Sequence, residues 1–196
     1  ILPGCKKVFD IKPQDQLDVT NAYQNVYDAD AAVVGIYGKF MALADRYVIL
    51  NELRGDLLNY TTNANESLRQ ISTHTVAAGN PYASPRPFYE LILNCNDALE
   101  NFQIMVREKR MTEDEFKERY SDVGALRSFL FLQMGIHFGE IPYVTSSLTN
   151  VDAVKNASNF PRLSFNALLD SLIRFTEALP YKELYPSGTN LNISVD

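Results

Sequence analysis

The sequence predicts a mostly α protein, built of helical hairpins with long irregular loops between them. Three observations lead there. Apolar residues recur at steps of three and four along several segments, the mark of amphipathic helices. Capping residues and prolines bound those segments. No segment alternates apolar and polar over a useful length, apart from a few residues near 141–144.

Composition sets the class. The 196 residues are 46% hydrophobic and 21% charged, and mean hydropathy is −0.17, so most of the chain can bury a core. Lys and Arg number 18 against 24 Asp and Glu, a net charge of −6. The basic residues do not cluster, which argues against nucleic acid as a partner. No apolar run is long enough to span a bilayer as a helix. Two His and two Cys, all scattered, give no zinc spacing. Trp is absent, whereas Tyr and Phe each number 11.

The elements follow in order. Ile1-Leu2-Pro3-Gly4-Cys5 places an apolar residue, a spacer, a small residue and then Cys, an order that resembles the end of a bacterial lipoprotein signal. On that reading the Cys5 thiol carries the lipid, residues 1–19 are signal end and tether, and residues 20–196 form the helical part. The other reading is an ordinary Cys near a chain end. Ala22, Val26, Ala29, Val33, Ile36, Phe40 and Ala44 predict a first helix from Thr20 to about Ala44, capped by Thr20 or Asn21. Leu50, Leu53, Leu57 and Leu58 predict a short helical piece. A polar stretch from Asn59 to Thr75 follows, and the prolines at 81, 85 and 87 break regular structure there.

Phe88, Leu91, Ile92, Cys95, Leu99, Phe102 and Val106 make the clearest stripe. Thr112 and Glu115 form a capping box for the next helix, which turns Phe116, Tyr120, Val123, Leu130, Met134 and His137 inward. Gly139 and Pro142 end it. These two helices are expected to be antiparallel neighbours. A last helix runs from about Ser164 to Leu179, with Phe165, Leu168, Leu169, Leu172, Ile173, Thr176 and Leu179 expected on its buried side. Such hairpins are compatible with a tetratricopeptide-like array, although no 34-residue repeat is visible. An array needs a further helix over its last apolar face, so the expectation is a front part of a longer protein.

No catalytic constellation, phosphate loop or dinucleotide fingerprint occurs, and no cofactor or metal is implied. Arg127 falls on or near the buried stripe between Val123 and Leu130, where a tie between helices is favoured over ligand contact. His74 and His137 read as hydrogen-bonding residues. The richest candidate for binding is the 45–86 region. Asp56, Asn59, Tyr60, Asn63 and Tyr82, with Asn65 and Arg69, supply the planar polar groups and aromatic faces that grip sugar hydroxyls and rings. The bland alternative is a solvated loop of local Asn and Thr turns.

A family resemblance rests on the order of several short motifs. Leu2-Pro3-Gly4-Cys5 is followed by Phe9-Asp10-Ile11-Lys12-Pro13, then Gly35-Ile36-Tyr37 in the first helix and Glu52-Leu53-Arg54-Gly55-Asp56 before the polar stretch. Next come Phe88-Tyr89 through Asn94-Cys95-Asn96, Tyr120 through Arg127, and Phe138-Gly139-Glu140-Ile141-Pro142-Tyr143-Val144. Asn159-Phe160-Pro161-Arg162 and Leu179-Pro180 complete the set. Together they resemble the N-terminal part of the SusD/RagB family, the nutrient-binding surface lipoproteins of Bacteroidetes. His137 departs from the family pattern. The resemblance implies a protein without enzymatic chemistry, lipid-anchored at Cys5 on the outside of the outer membrane. It implies capture of an oligosaccharide and delivery to a SusC-like TonB-dependent transporter. Peptide binding, as in RagB-like members, is the alternative within the family. A helical scaffold for protein interaction is the alternative outside it.

Overall fold

The computed structural model describes residues 22–148, 151–156 and 160–180. The Cys5 anchor and the boundary after residue 19 lie outside them. The described chain runs α1 (Val26–Met41), α2 (Ala44–Val48), a π-helical turn (Ile49–Leu53), α3 (Glu66–Ser72), a 3-10 turn (Pro81–Ala83), α4 (Arg86–Arg107) and α5 (Glu113–Phe138). Then come β1 (Ile141–Pro142), α6 (Val151–Asn156), β2 (Arg162–Leu163) and α7 (Phe165–Glu177).

The first helix starts later than the sequence reading placed it. Tyr23 has φ +62°, a left-handed conformation that no helix passes through. The cap is therefore Asn25 rather than Thr20 or Asn21. Its Oδ1 accepts from the backbone N–H of Tyr27 and Asp28, and Asp28 accepts from the N–H of Asn25 in return. Ala29 and Ile36 are buried as expected, but Ala44 is exposed and Leu43 is buried in its place. The outer face of α1 is apolar too, with Tyr27, Val34 and Met41 exposed.

The 45–86 region is not one loop. Leu50 and Leu53 anchor the π-helical turn in the core. Leu57 and Leu58 lie beyond it, exposed, because the chain has already turned away at Gly55 and Asp56. α3 arises inside the polar stretch, where Asn65 caps it by accepting from Leu68 N–H and Ile71 reaches the core. Pro85 and Pro87 do not interrupt structure. They open α4, since a first-turn proline lacks only an N–H that has no helical partner anyway.

α4 and α5 form the antiparallel hairpin at the centre. Thr112 and Glu115 make the expected capping box, and Gly139 at φ +71° ends α5. α5 is buried nearly all round, from Val123 to Gly135, because α4, α1 and α7 all pack on it. Beyond it, Ile141 pairs with Leu163 and Pro142 with Arg162 in a two-stranded antiparallel ribbon. α7 then lies on α5 over two glycines. A Cβ at Gly124 would sit 2.8 Å from Leu179 Cδ2, and one at Gly135 would sit 2.7 Å from Leu168 Cδ2. Only Leu168 and Leu172 of α7 are fully covered. Phe165 and Ile173, expected inside, are exposed, since a single neighbouring helix shields a narrow strip. Among the described residues no helix is long and apolar enough to cross a membrane.

Two substitutions test this packing. Leu99→Ala or Leu130→Ala should cost roughly 2–5 kcal/mol in urea unfolding, because each leaves a cavity in the α4–α5 seam. Gly135→Val should cost about 1–3 kcal/mol by forcing α7 away from α5. A silent Gly135→Val would refute the close approach of α7.

Candidate functional site

The residues singled out for binding lie along the segment between the π-helical turn and the start of α4. Asp56 has φ +61° at the bend after Gly55 and is exposed. Asn59 accepts from Tyr60 N–H at 2.8 Å, fixing a local turn. Tyr60 is 38% exposed, and Asn63 is exposed. Tyr82 differs: it is half-buried against the core.

Several neighbours that looked like ligand groups hold the segment together instead. Asn65 is the cap of α3. Arg69 donates from Nη2 to the Thr62 carbonyl at 2.9 Å. Buried Asn80 donates to the Ser67 carbonyl and to Gln70 Oε1, and its own Oδ1 accepts from Tyr82 N–H. Arg46 donates to the Pro81 carbonyl. Asp56, Asn59, Tyr60 and Asn63 are left presenting side chains from a pinned surface. They line none of the four cavities described below, so the structure displays them without enclosing them.

Where the π-helical turn meets α5, a part-buried polar node forms. Gln133 Oε1 accepts from Asn51 Nδ2 of the π-helical turn at 3.2 Å. The same oxygen contacts His137 Nε2 at 3.1 Å. A carbonyl oxygen can only accept, so the ring carries its proton on Nε2. Nδ1 is then a bare acceptor, buried without a partner. Desolvation first, and the charge of Arg54 second, push the His137 pKa down from 6.5 to about 4.

Cavities open along the helices. One of about 480 Å³ lies at the α4–α5 turn, lined by Arg110, Met111 and Glu113 among others. Two more, of about 190 and 240 Å³, flank α1 and α4. The fourth, of about 300 Å³, lies among α4, α5, α7 and the chain after β1, and the sequence reading missed it. Its floor is Asn96 and Arg127, 0% and 6% exposed. Arg127 donates from Nη1 to Asn96 Oδ1 at 2.8 Å. Asn96 donates onward to the carbonyls of Val144 and Ser146, at 2.9 and 3.0 Å. Phe175 of α7 covers the guanidinium, its ring centroid 4.3 Å from Cζ. Arg127 is thus the inter-helix tie that the sequence favoured. A signal was available: Asn96 falls on the inward phase of α4 as Arg127 does on α5. Deeper in the same helix, Cys95 is free and buried, and burial lifts its thiol to about 12.

No family model matches the chain, and no curated protein matches it. Among solved structures it is similar to a SusD superfamily protein from Bacteroides thetaiotaomicron, at TM-score 0.62 and 24% identity. The match covers 78% of this chain but 34% of that one, so the chain spans about a third of its length.

A pH experiment tests the His137 node. The folded state holds the ring neutral down to about pH 4, while the unfolded chain takes its proton near 6.5. Stability should therefore fall as pH drops through that window. For this half-buried ring, solvent screening reduces the expected loss between pH 7 and 5 to roughly 1 kcal/mol. His137→Gln should remove most of that slope in urea titrations at the two pH values.

The helices are arranged as in a SusD superfamily protein: over most of its length, this chain has a SusD-like fold.

Proposed function

We propose that the protein is a substrate-binding component of a SusD-like uptake system, and not an enzyme. It captures an oligosaccharide at the cell surface and delivers it to a SusC-like TonB-dependent transporter, held to the outer membrane through a lipid on Cys5. The observation that carries this reading is the fold likeness over 78% of the chain. Two further features support it. The pinned segment after the π-helical turn presents Asp56, Asn59, Tyr60 and Asn63 to solvent. An exposed Tyr face and planar polar groups suit a sugar ring and its hydroxyls, since several modest hydrogen bonds must act together.

Calorimetry of the full chain against a panel of neutral oligosaccharides and short peptides tests the reading. Tyr60→Ala and Asp56→Ala should each weaken oligosaccharide binding about tenfold, or 1.4 kcal/mol, with unchanged circular dichroism. Tyr82 packs on the core, so Tyr82→Phe is the cleaner probe there. It should keep ring stacking and lose only the hydroxyl contact. Peptide binding with no oligosaccharide binding would move the protein to the RagB-like alternative. In cells, a labelled fatty acid should mark the wild type and spare Cys5→Ala, and equal labelling would remove the anchor from the reading.

A further inference from the structure

Arg127 is buried, and the Glu100 carboxylate bears on it by charge alone, without an ion pair. Among the described residues no carboxylate pairs with it; the ion pairs of the protein lie elsewhere. Its one hydrogen bond among the described residues, from Nη1, goes to a neutral amide. A desolvated guanidinium has five N–H donors to satisfy, and a neutral partner offsets little of the burial cost. Its side chain also lines the 300 Å³ cavity. Around that opening stand neutral hydrogen-bonding groups that can both donate and accept: the Gln103 amide, the Tyr120 hydroxyl, to which Gln103 Nε2 donates at 3.2 Å, and the Thr145 hydroxyl. Tyr143 adds an aromatic face. Glu100 lines the same cavity, but both of its oxygens are engaged by Ser147, one by the backbone N–H at 2.8 Å and one by the hydroxyl.

We propose that this cavity is a binding subsite for one acidic sugar unit, a uronate, with its carboxylate on Arg127 and its hydroxyls on Gln103, Tyr120 and Thr145. The planar guanidinium fork matches a carboxylate, and on a side chain as buried as Arg127 that contact is stronger than at the surface. The Glu100 charge works against any anion in this cavity and about twice as strongly against a dianion, so a singly charged carboxylate fits better than a phosphate. The volume is at the small end of ligand pockets, which run from roughly 300 to 1,000 Å³, so one ring is accommodated rather than a chain. The site is separate from the exposed segment around Tyr60. It rests on the carbohydrate-capture reading only for the sugar part of its ligand.

Calorimetry on the full chain with glucuronate, glucose and N-acetylglycine tests it. Glucuronate should bind at least tenfold more tightly than glucose or N-acetylglycine. Arg127→Gln should abolish that preference. Because Arg127 is also structural, Tyr120→Phe and Gln103→Ala serve as rim variants, each expected to weaken glucuronate three- to tenfold with unchanged circular dichroism. Equal affinity for glucuronate and glucose, no glucuronate binding, or rim variants without effect would each overturn the proposal. N-acetylglycine binding as tightly as glucuronate would overturn the sugar assignment. Neutral oligosaccharides that bind through Tyr60 while glucuronate fails would leave the carbohydrate-capture reading standing and remove this one. Glucuronate binding while every neutral oligosaccharide fails would keep this subsite and remove the Tyr60 segment as the place of capture.

Discussion

The enclosure of α5 governs the rest of the architecture. A helix covered on one side needs an apolar stripe, but a helix covered by three neighbours must solve two further problems. Its polar residues lose water and need partners inside, and its neighbours need room to approach. Ser128 answers the first by bonding back to the Gly124 carbonyl, Gln133 by joining Asn51 and His137, and Arg127 by reaching Asn96. Gly124 and Gly135 answer the second, and α7 occupies the space they leave. Side-chain polar contacts then set α1 against the hairpin. Arg119 pairs with Asp30 at 2.7 Å, Tyr37 donates to Asp122 at 2.6 Å, and Tyr23 donates to Asp97 at 3.2 Å.

The same constraint shapes the functional surfaces. Asn96 spends both amide protons on the Val144 and Ser146 carbonyls, so the chain after β1 is fixed to α4 by a side chain rather than by a sheet. Tyr89 repeats the device about two turns earlier, donating to the Pro142 carbonyl at 2.7 Å. That segment forms a wall of the Arg127 cavity. At the other end of α5, the Asn51–Gln133 bond ties the candidate segment after the π-helical turn to the core. Extra-wide turns of this kind are enriched at functional sites, since they re-aim the residues around them.

Much of this was legible in the letters. The α4 and α5 stripes, the Thr112 box and the Gly139 stop depend on spacing and local chemistry, which a sequence states directly. The start of α1 was misread because Tyr23 takes a left-handed conformation that tertiary contacts impose, its ring edge-on to Phe102 at 6.0 Å. α3 was missed because only Ile71 of its seven residues is fully buried, with Leu68 partly so, too little periodicity to register. On α7, apolar spacing marked every inward candidate, but how many are covered depends on how many neighbours arrive. The candidate site residues divide in the same way. Residue type revealed which groups could touch a sugar, whereas the Arg127 cavity required four chain segments to converge.

Cys95 adds a consequence of a different kind. Its side chain is fully covered, and the thiolate that reacts with electrophiles is scarce at a pKa near 12. Modification must wait for α4 to lift from its neighbours and admit both water and reagent. In a Cys5→Ser background the rate of thiol alkylation therefore becomes a clock for that opening, read in the intact protein without denaturant. A ligand that braces α4 would slow the clock, and a substitution that loosens the hairpin would speed it.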